Sequence, residues 1–489
     1  MNEPLVLGID VGPQSACAVV METTGRIVAQ AQQDLTKEKI IGLPEGYHEQ
    51  DPTDWWNATR VCLRRVVTML EAQNRSARTI VAGAVDAASG SVVLLDGNNV
   101  PLRNAVTQSD QRARSEAEHV NAVSHSLQRK LGFCFDASFT LPKLLWLARH
   151  ESETWNKMRR VVHVADYIVG KLTGVFDQSD PSNALKTGFD LIDFEYPGFI
   201  ESELGIELER LPHVIRTGEL VAHVSEQGSA DTGLDRTTRI VAGMDLGLAS
   251  QVASGARRIG DWNTVLDDTL TFKGLTKNPL VDPVGRVCNY LHPLGYWMPS
   301  CGSNVGARAR DERFPNADKT AFDHAALALA PTALLVYPRV ADGESFPINH
   351  VDTQPFVQGL AKSDRELYAA YLEGIAYVER LAYAMLKSMG AEIRERIYSS
   401  GNGANSIEWM QIRADVLGME TARTQNASAA MGSAIIAASR TLFDSIAEAS
   451  AQMIKVDRVV TPRNEMVARY SEAYQRFLDA LRQRGYIDG

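Results

Sequence analysis

A short apolar segment that ends in a glycine-bracketed aspartate constrains the fold of this chain most strongly. Segment 240–242 is apolar, Gly243 and Gly247 flank Asp245, and segment 249–255 consists mainly of small residues. The apolar run predicts a short buried strand, the glycines allow a tight turn, and the small residues suit a closely packed helix. This order predicts an α/β element that places Asp245 at a strand end, facing a cleft.

Two roles for Asp245 fit this local pattern. A carboxylate at a strand end can act as a general base toward a substrate hydroxyl. The same side chain can also cap the following helix by accepting a hydrogen bond from the first helical turn. The local sequence favours the cap, and both roles remain open at this point.

The length of the chain predicts two domains. One hydrophobic core rarely serves 489 residues. We therefore expect domains at residues 1–246 and 247–489, with a cleft between them as the natural site. In the first half, segments 5–9, 16–21 and 27–30 predict three strands joined by tight turns.

Helix signals follow in both halves. Asp51 and Pro52 form a cap and first-turn pair that predicts a helix start. Segment 364–389 has an apolar helical face and ends at Gly390, which predicts a long helix. Strands that alternate with helices in this way indicate an α/β fold.

Composition and charge restrict the class of partner. The formal net charge is −10 and no basic stripe offsets it, which disfavours nucleic acid and favours a small molecule. No apolar run approaches the roughly 20 residues of a membrane helix, and the N-terminus shows no secretion-signal pattern. We therefore expect a cytoplasmic protein without membrane partners, for which the sequence leaves a homodimer open. The five scattered cysteines predict reduced thiols rather than disulfides or a zinc site.

Three glycine-containing loops follow predicted strands, at residues 8–16, 265–271 and 400–406. Backbone N–H groups in such loops can face phosphate. A single loop of this kind is more often structural. Three of them in a two-domain α/β chain leave a nucleotide site and a purely structural role equally open.

Motifs along nearly the whole chain resemble the FGGY family of carbohydrate kinases. They include GIDVG, GYHEQDPTDWW, VDAASGSVVLLD, LPKLLWLARH, SNALKTGFD, AGMDLG, GDWNT, TLTFKGLT, YLEGIAYVER and SGNGANSIEWMQIRADVLG. The resemblance implies an α/β fold of the actin and hexokinase type, which is ribonuclease H-like and has a central interdomain cleft. An N-terminal sugar-binding domain and a C-terminal nucleotide-binding domain are expected. VDAASG, SNALKTG and GDWNT together are most similar to the branch that contains ribulose and xylulose kinases.

The resemblance implies an ATP-dependent kinase that phosphorylates a hydroxyl of a ketopentose, D-xylulose or D-ribulose. Asp245 would contact the sugar and take the proton from its hydroxyl, so the resemblance favours the base over the cap. Asp10 would help to hold Mg²⁺ through water. Phosphoryl transfer depends chiefly on alignment and charge stabilisation, so one base, a metal ion and two phosphate loops suffice for it.

Further binding residues come from the same resemblance. The remaining sugar-contacting positions correspond to Asp86, Ser89, Asp110 and Arg112. An ion pair within the domain explains Asp110 and Arg112 equally well. The nucleotide-contacting positions correspond to Gly12, Gln14, Ser15, Thr269, Gly401, Gly403, Ala404 and Asn405. For the last four, the alternative is an ordinary helix start.

Both phosphate loops depart from the family pattern. Pro13 removes a hydroxyl and a backbone donor from the first loop, and Asp267 and Asp268 bring two carboxylates into the second. Two unit charges about 4 Å apart interact by about 1 kcal/mol in water and about 4 kcal/mol at an effective dielectric constant near 20. The alternative function is therefore a catalytically impaired homologue that acts as a sugar or nucleotide sensor. If Asp267 or Asp268 instead pairs with Mg²⁺ or Lys273, the acidic loop is a working variant.

Overall fold

The alternating strand and helix signals produce two large β-sheets in the computed structural model, which describes residues 3–35, 40, 42–340, 343–350 and 352–488. The chain divides into two compact units. The first consists of Met1–Ala253, Tyr290–Tyr296 and Asn426–Lys455, and the second consists of Ser254–Asn289, Trp297–Gln425 and Val456–Gly489. The sequence-based division assigned every residue after 246 to one domain, whereas residues 426–455 pack within the first unit.

Six strands of the described residues form the sheet of the first unit. In chain order they are Leu5–Val11 (β1), Ser15–Glu22 (β2), Ile27–Asp34 (β3), Ile80–Ala87 (β4), Leu220–His223 (β5) and Arg239–Asp245 (β6). Their spatial order is β5-β6-β4-β1-β2-β3. Strands β1, β4 and β6 run parallel, so their carboxyl ends meet at one edge of the sheet. The strands predicted at residues 5–9, 16–21 and 27–30 are confirmed.

Helices surround this sheet, and the predicted start at Asp51 is confirmed. The Asp51 side chain accepts a hydrogen bond from the Thr53 N–H, and Pro52 lies in the first turn. The α-helices of the first unit are Pro52–Ala72, Arg114–Val123, His125–Leu131, Thr140–His150, Ser152–Lys157, Val164–Thr173, Pro181–Leu185, Phe199–Ser202, Glu226–Thr232, Leu246–Ala253, Ala429–Ala438 and Ile446–Met453.

The helix Ala429–Ala438 packs directly on β1. All ten of its residues are buried. A Cβ atom added to Gly8 of β1 would lie 1.7 Å from the Ala430 carbonyl oxygen, so only glycine permits this approach. The small side chains of this helix allow the close approach, and the sequence analysis made no prediction for this segment.

Seven strands form the second large sheet of the described residues. In chain order they are Trp262–Leu266 (β7), Leu270–Gly274 (β8), Cys288–Leu291 (β9), Trp297–Ser303 (β10), Arg396–Ser400 (β11), Glu420–Thr424 (β12) and Val456–Val460 (β13), and their spatial order is β9-β10-β8-β7-β11-β12-β13. The strand pairs of the small sheets are Glu49–Gln50 with Ala105–Val106, Val93–Leu95 with Arg160–Val162, Gln178–Ser179 with His213–Val214, and Leu335–Tyr337 with Phe356–Gln358.

The long helix predicted at residues 364–389 is confirmed as Asp364–Ser388, which packs in the core of the second unit. The other α-helices of this unit are Ala307–Arg313, Lys319–Leu329, Ile407–Leu417 and Asn464–Gln483, and the 3₁₀ turns of the chain are Ala77–Thr79, Leu208–Arg210 and Asn402–Asn405. Across the described part of the chain, no disulfide joins any of the five cysteines, and no helix combines the length and apolarity needed to span a membrane.

Glu373 on the long helix makes the stability of the protein depend on pH. Its side chain is fully buried and accepts hydrogen bonds from the Thr332 hydroxyl at 2.6 Å and the Tyr470 hydroxyl at 3.2 Å. Burial raises the pKa of Glu373 from 4.5 to about 7. Between these values the folded state holds a proton that the unfolded state has released, so this group's contribution to stability falls as pH rises.

Glu373→Gln is expected to remove this dependence because the amide is neutral at every pH. From pH 4.5 to 7, the unfolding free energy of the wild type should fall relative to the variant by up to about 1.4 kcal/mol per pH unit. Denaturant unfolding at several pH values measures the difference. If the unfolding free energies of the wild type and the variant change in parallel between pH 4.5 and 7, the expectation is contradicted.

Candidate active site

Three aspartates lie at the carboxyl edge of the first sheet. Asp10 near the end of β1 lies opposite Asp86 on β4, and Asp245 ends β6 opposite Ala87. Ligands of parallel α/β sheets bind outside the carboxyl ends of the strands. This edge is therefore the candidate active site of the first unit.

Both oxygens of the Asp245 carboxylate accept hydrogen bonds. Oδ2 accepts from the Ser89 hydroxyl at 2.7 Å and from the Ser89 N–H at 3.2 Å. Oδ1 accepts from the Gly247 N–H at 2.8 Å, which is the helix-cap contact that the resemblance had disfavoured. The cap is therefore present, and one carboxylate both caps the helix and faces Ser89. The role of Asp245 as a base stays a prediction.

Ser182 holds the backbone of Asp245, a role that was not predicted from the sequence. Its hydroxyl oxygen accepts the Asp245 N–H at 2.7 Å, and its O–H donates to Asp180. Asp180 also caps the helix Pro181–Leu185 by accepting the Ser182 N–H at 2.9 Å. The motif SNALKTG gave only a family signal, because the contact joins residues 63 positions apart.

Asp10 and Asp86 each have one buried carboxylate oxygen that accepts no hydrogen bond from the described residues. Among the described residues, no hydrogen-bond donor reaches Oδ1 of either side chain, whereas Asp86 Oδ2 accepts from the Ser433 hydroxyl at 2.6 Å. Burial raises the pKa of Asp86 well above its usual range, and the neighbouring Asp10 charge adds to the effect. Burial also raises the pKa of Asp10. A cation would compensate both charges.

These two oxygens fit Mg²⁺. Proteins usually hold this ion through one or two carboxylates, and waters and substrate phosphates complete the octahedron. The described residues contain no cluster of three or more histidine, cysteine, aspartate or glutamate side chains suited to a metal. The chemistry of the donor set therefore matches a loosely held Mg²⁺ rather than a structural metal.

A cavity of about 380 Å³ lies beside this edge. Its walls come from residues 11–14, 48–50 and 107–109, with Trp55, Ala88, Ser91 and Val164. Gly12 and Gln14, predicted to contact nucleotide, line this cavity, whereas the Ser15 side chain accepts a hydrogen bond from Gln32 at 3.2 Å. The polar lining residues His48, Gln50 and Thr107 were not assigned a role from the sequence.

Asp110 and Arg112 form a buried ion pair, which confirms the structural alternative. The Arg112 Nε donates to Asp110 Oδ1 at 2.9 Å, and Asp110 Oδ2 also accepts the His48 N–H at 2.6 Å. The guanidinium carbon lies 4.1 Å from the centre of the Tyr47 ring and 5.0 Å from that of Trp146. Within the first unit, this pair stabilises the segment that carries His48, and a direct sugar contact stays a prediction.

The glycine loop of the second unit is distinct from a helix start. Gly401 has a φ of +83°, and the 3₁₀ turn Asn402–Asn405, which contains Gly403 and Ala404, follows it. The helix Ile407–Leu417 begins only after this turn, where the Ser406 side chain accepts the Trp409 N–H. The structure therefore favours a separate loop over the ordinary helix start.

The carboxylate of Asp267 is engaged by this glycine loop. Asp267 Oδ1 accepts the Asn402 N–H at 2.7 Å. Thr269, predicted to contact nucleotide, follows in the turn between β7 and β8, and the Asp268 carbonyl oxygen accepts the Arg308 N–H at 3.3 Å. Asp267 thus has a protein partner other than the Lys273 or Mg²⁺ considered from the sequence.

Comparisons with known proteins agree across the chain. Residues 5–251 match the profile of the FGGY family of carbohydrate kinases, N-terminal domain, and residues 287–440 match the C-terminal domain of the same family. The xylulose kinase of Bacillus subtilis (strain 168) is 23% identical over 487 residues, which cover 96% of this chain and 95% of the relative. That of Streptomyces rubiginosus is 28% identical, with coverage of 83% and 82%.

Solved structures show the same fold. The xylulose kinase from Rhodospirillum rubrum superimposes with a TM-score of 0.85 at 25% identity and covers 98% of both chains. The Plasmodium falciparum glycerol kinase with ADP gives a TM-score of 0.87 at 17% identity, with coverage of 100% of this chain and 99% of the other. The predicted fold class, a two-domain α/β sugar-kinase fold of the actin and hexokinase type, is confirmed.

Proposed function

Because this chain belongs to the FGGY family of carbohydrate kinases, we propose that it transfers the γ-phosphoryl group of ATP to a hydroxyl of a ketopentose. D-Xylulose is the first choice and D-ribulose the second, since the relatives matched over most of the chain are xylulose kinases. The observation that carries the proposal is Asp245, which is held at the carboxyl edge of the sheet beside Asp10 and Asp86. The comparisons do not favour the sensor alternative.

Asp245 is the general base in this proposal. Its carboxylate accepts the proton of the sugar hydroxyl while that oxygen forms a bond to the γ-phosphorus and the bond to the β–γ bridging oxygen breaks, releasing ADP. Ser89 and Gly247 orient the carboxylate through opposite oxygens. Fixed hydrogen bonds of this kind restrict the base to one rotamer before the substrate arrives.

Asp10 and Asp86 would hold Mg²⁺ through their donor-free oxygens. When bound, the ion neutralises charge on the nucleotide phosphates. The carboxylates of Asp10 and Asp86 supply the negative charge that attracts the ion. The hydrogen bond from the Ser433 hydroxyl fixes the orientation of Asp86. A cytoplasmic location, where ATP is available, and a homodimer belong to the same proposal.

Coupled measurement of ADP release tests the function. The purified protein is assayed with Mg²⁺ and ATP against D-xylulose, D-ribulose, other ketoses and polyols. We expect sugar-dependent ADP release with the highest kcat/KM for a ketopentose. If no sugar stimulates release while calorimetry still detects sugar or ATP binding, the protein is a sensor and the kinase proposal fails.

Asp267 and Asp268 are expected to act on ATP binding in opposite directions. Asp267→Ala removes the acceptor of the Asn402 N–H and should weaken ATP binding by roughly ten- to a hundredfold, in line with about 1.5–3 kcal/mol for a charge-assisted hydrogen bond. Asp267→Asn keeps an oxygen acceptor and serves as the matched control. Asp268→Thr replaces a carboxylate with a neutral hydroxyl-bearing side chain and should strengthen binding, because the charge that repels the phosphates is removed.

Calorimetry with and without Mg²⁺ measures these changes. The resemblance assigns the loop at Gly401 to adenosine, so a weaker loop anchor should appear as a weaker nucleotide affinity. Tighter ATP binding by Asp267→Ala would show that the carboxylate repels the phosphates and that its contact with Asn402 is incidental. If all three variants bind ATP as tightly as the wild type, neither Asp267 nor Asp268 contributes to nucleotide binding.

A further inference from the structure

Lys143 is a fully buried lysine on the helix Thr140–His150. Among the described residues, no carboxylate lies within ion-pair distance of its Nζ; instead, Nζ donates to the Gly90 carbonyl at 2.9 Å and to the Phe139 carbonyl at 3.4 Å. A buried ammonium without a paired charge is costly, and an apolar side chain would fill the same place in the core more cheaply. The residue is therefore better explained by what it holds than by packing.

The surrounding charges do not offset this burial. Asp110 and Asp136 attract the ammonium, whereas Lys186 and Arg112 repel it. Burial, the dominant cause, lowers the pKa of Lys143 from 10.5 to about 7. In both protonation states the nitrogen remains a donor to carbonyl oxygens.

The carbonyl that Lys143 binds belongs to the turn carrying Ser89. Gly90 has a φ of +91°, and a Cβ atom there would lie 2.3 Å from the Ser138 carbonyl oxygen. On its other side the turn is held by Ser91, whose hydroxyl oxygen accepts the Gln108 N–H at 3.0 Å. The turn is thus fixed at consecutive residues.

Ser89 in turn donates both its hydroxyl and its N–H to Asp245. A continuous chain of hydrogen bonds and peptide units therefore runs from Lys143 through Gly90 and Ser89 to the carboxylate. The Gly90 carbonyl belongs to the planar peptide unit between Gly90 and Ser91, so the contact fixes that unit, and the Gly90 backbone joins it directly to Ser89. Loss of the hydrogen bond from Lys143 to Gly90 would therefore allow Ser89, which donates to Asp245, to move.

We propose that Lys143 is a positioning residue that fixes the Ser89 turn and, through it, the carboxylate of Asp245. This rests on the proposed function, in which Asp245 is the base. Lys143 acts on the rate of proton removal and leaves nucleotide binding unchanged. Its effect passes through Ser89.

Lys143→Met tests the proposal with Leu144→Ala as a matched control on the same helix, since Leu144 is also fully buried but belongs to no site. We expect Lys143→Met to lower kcat by at least about tenfold with KM for ATP changed by less than about twofold, as for loss of an interaction made in the transition state. Leu144→Ala should lower thermal stability without lowering kcat at a temperature well below its unfolding transition.

A double-mutant cycle with Ser89→Ala tests whether the effect of Lys143 on kcat passes through Ser89. If Lys143 acts through Ser89, the double variant should be faster than the product of the two single effects predicts, because in Ser89→Ala only the backbone N–H contact with Asp245 remains to be disturbed. Fully multiplicative effects, or a kcat for Lys143→Met within about twofold of the wild type, would overturn the proposal. Lys143→Gln, which retains a donor, replaces the methionine variant if the latter does not fold and should keep more activity.

Hydrogen exchange separates this inference from the proposed function. In Lys143→Met, the amides of residues 89–91 should exchange at least about tenfold faster than in the wild type and in Leu144→Ala. Unchanged exchange in this turn would refute the positioning role whether or not any sugar is phosphorylated. Faster exchange together with an inactive wild type would uphold the positioning of Ser89 and reject the kinase proposal alone.

Discussion

Asp245→Asn is expected to lower turnover by roughly a thousandfold, within the range of about 10²–10⁴ for loss of a general base. An amide cannot accept the proton of the attacking hydroxyl. Its oxygen can keep the bond from the Gly247 N–H, while its NH₂ can donate to the Ser89 hydroxyl and loses only the longer bond from the Ser89 N–H. Shape is preserved, so sugar affinity should change by less than about tenfold. Steady-state kinetics and sugar calorimetry measure the two quantities.

Asp235→Asn provides the control for this experiment. Asp235 lies in the same unit, and its side chain accepts the Thr237 N–H at 2.9 Å in a turn outside the candidate site. Its replacement should leave turnover within about twofold. If Asp245→Asn keeps more than about a tenth of wild-type turnover, Asp245 is a helix cap or a ligand contact rather than the base.

The second large effect is expected from Asp10→Asn, which should lower turnover by roughly a hundredfold and weaken Mg²⁺ activation. The change removes one of two donor-free carboxylate oxygens and its charge, and Mg²⁺ is held mainly by such groups. It also removes the Asp10 charge that raises the pKa of Asp86, so the folded protein should lose no stability. Titration of activity with Mg²⁺ measures the apparent affinity.

Calorimetry of Mg²⁺ binding in the presence of ADP provides a readout independent of turnover. The affinity of Asp10→Asn for the ion should fall by at least about tenfold, whereas Asp235→Asn should match the wild type. Coincident Mg²⁺ curves for Asp10→Asn and the wild type would exclude Asp10 as a ligand. Denaturant unfolding checks the expected absence of destabilisation.

Local features of the sequence were sufficient to predict several elements of the fold. Apolar runs bounded by glycines gave β1, β2 and β3, and Asp51 with Pro52 gave a helix start. An apolar stripe ended by Gly390 gave the long helix at residues 364–388. Each of these signals acts over a few residues, because strand pleat, helix periodicity and turn geometry depend on near neighbours.

The candidate site required contacts between distant residues. Ser182 holds the backbone of Asp245, and Asp267 is engaged by the Asn402 N–H, although 63 and 135 positions separate the partners. The same limit applies to Lys143, which entered the sequence analysis only as part of the motif LPKLLWLARH. The family resemblance supplied roles for individual positions, but it did not supply the partners that orient them.

The sequence by itself determined the first three strands, the helix start at Asp51, the long helix, the family, and the position of Asp245 at a strand end. Tertiary structure decided that Asp245 caps a helix and faces Ser89, that Asp110 and Arg112 form a buried pair, and that residues 426–455 pack in the first unit. The physical reason is that burial and hydrogen-bond partners are properties of neighbours in space. A carboxylate has the same local sequence whether a donor, a guanidinium group or a metal ion satisfies it in the folded chain.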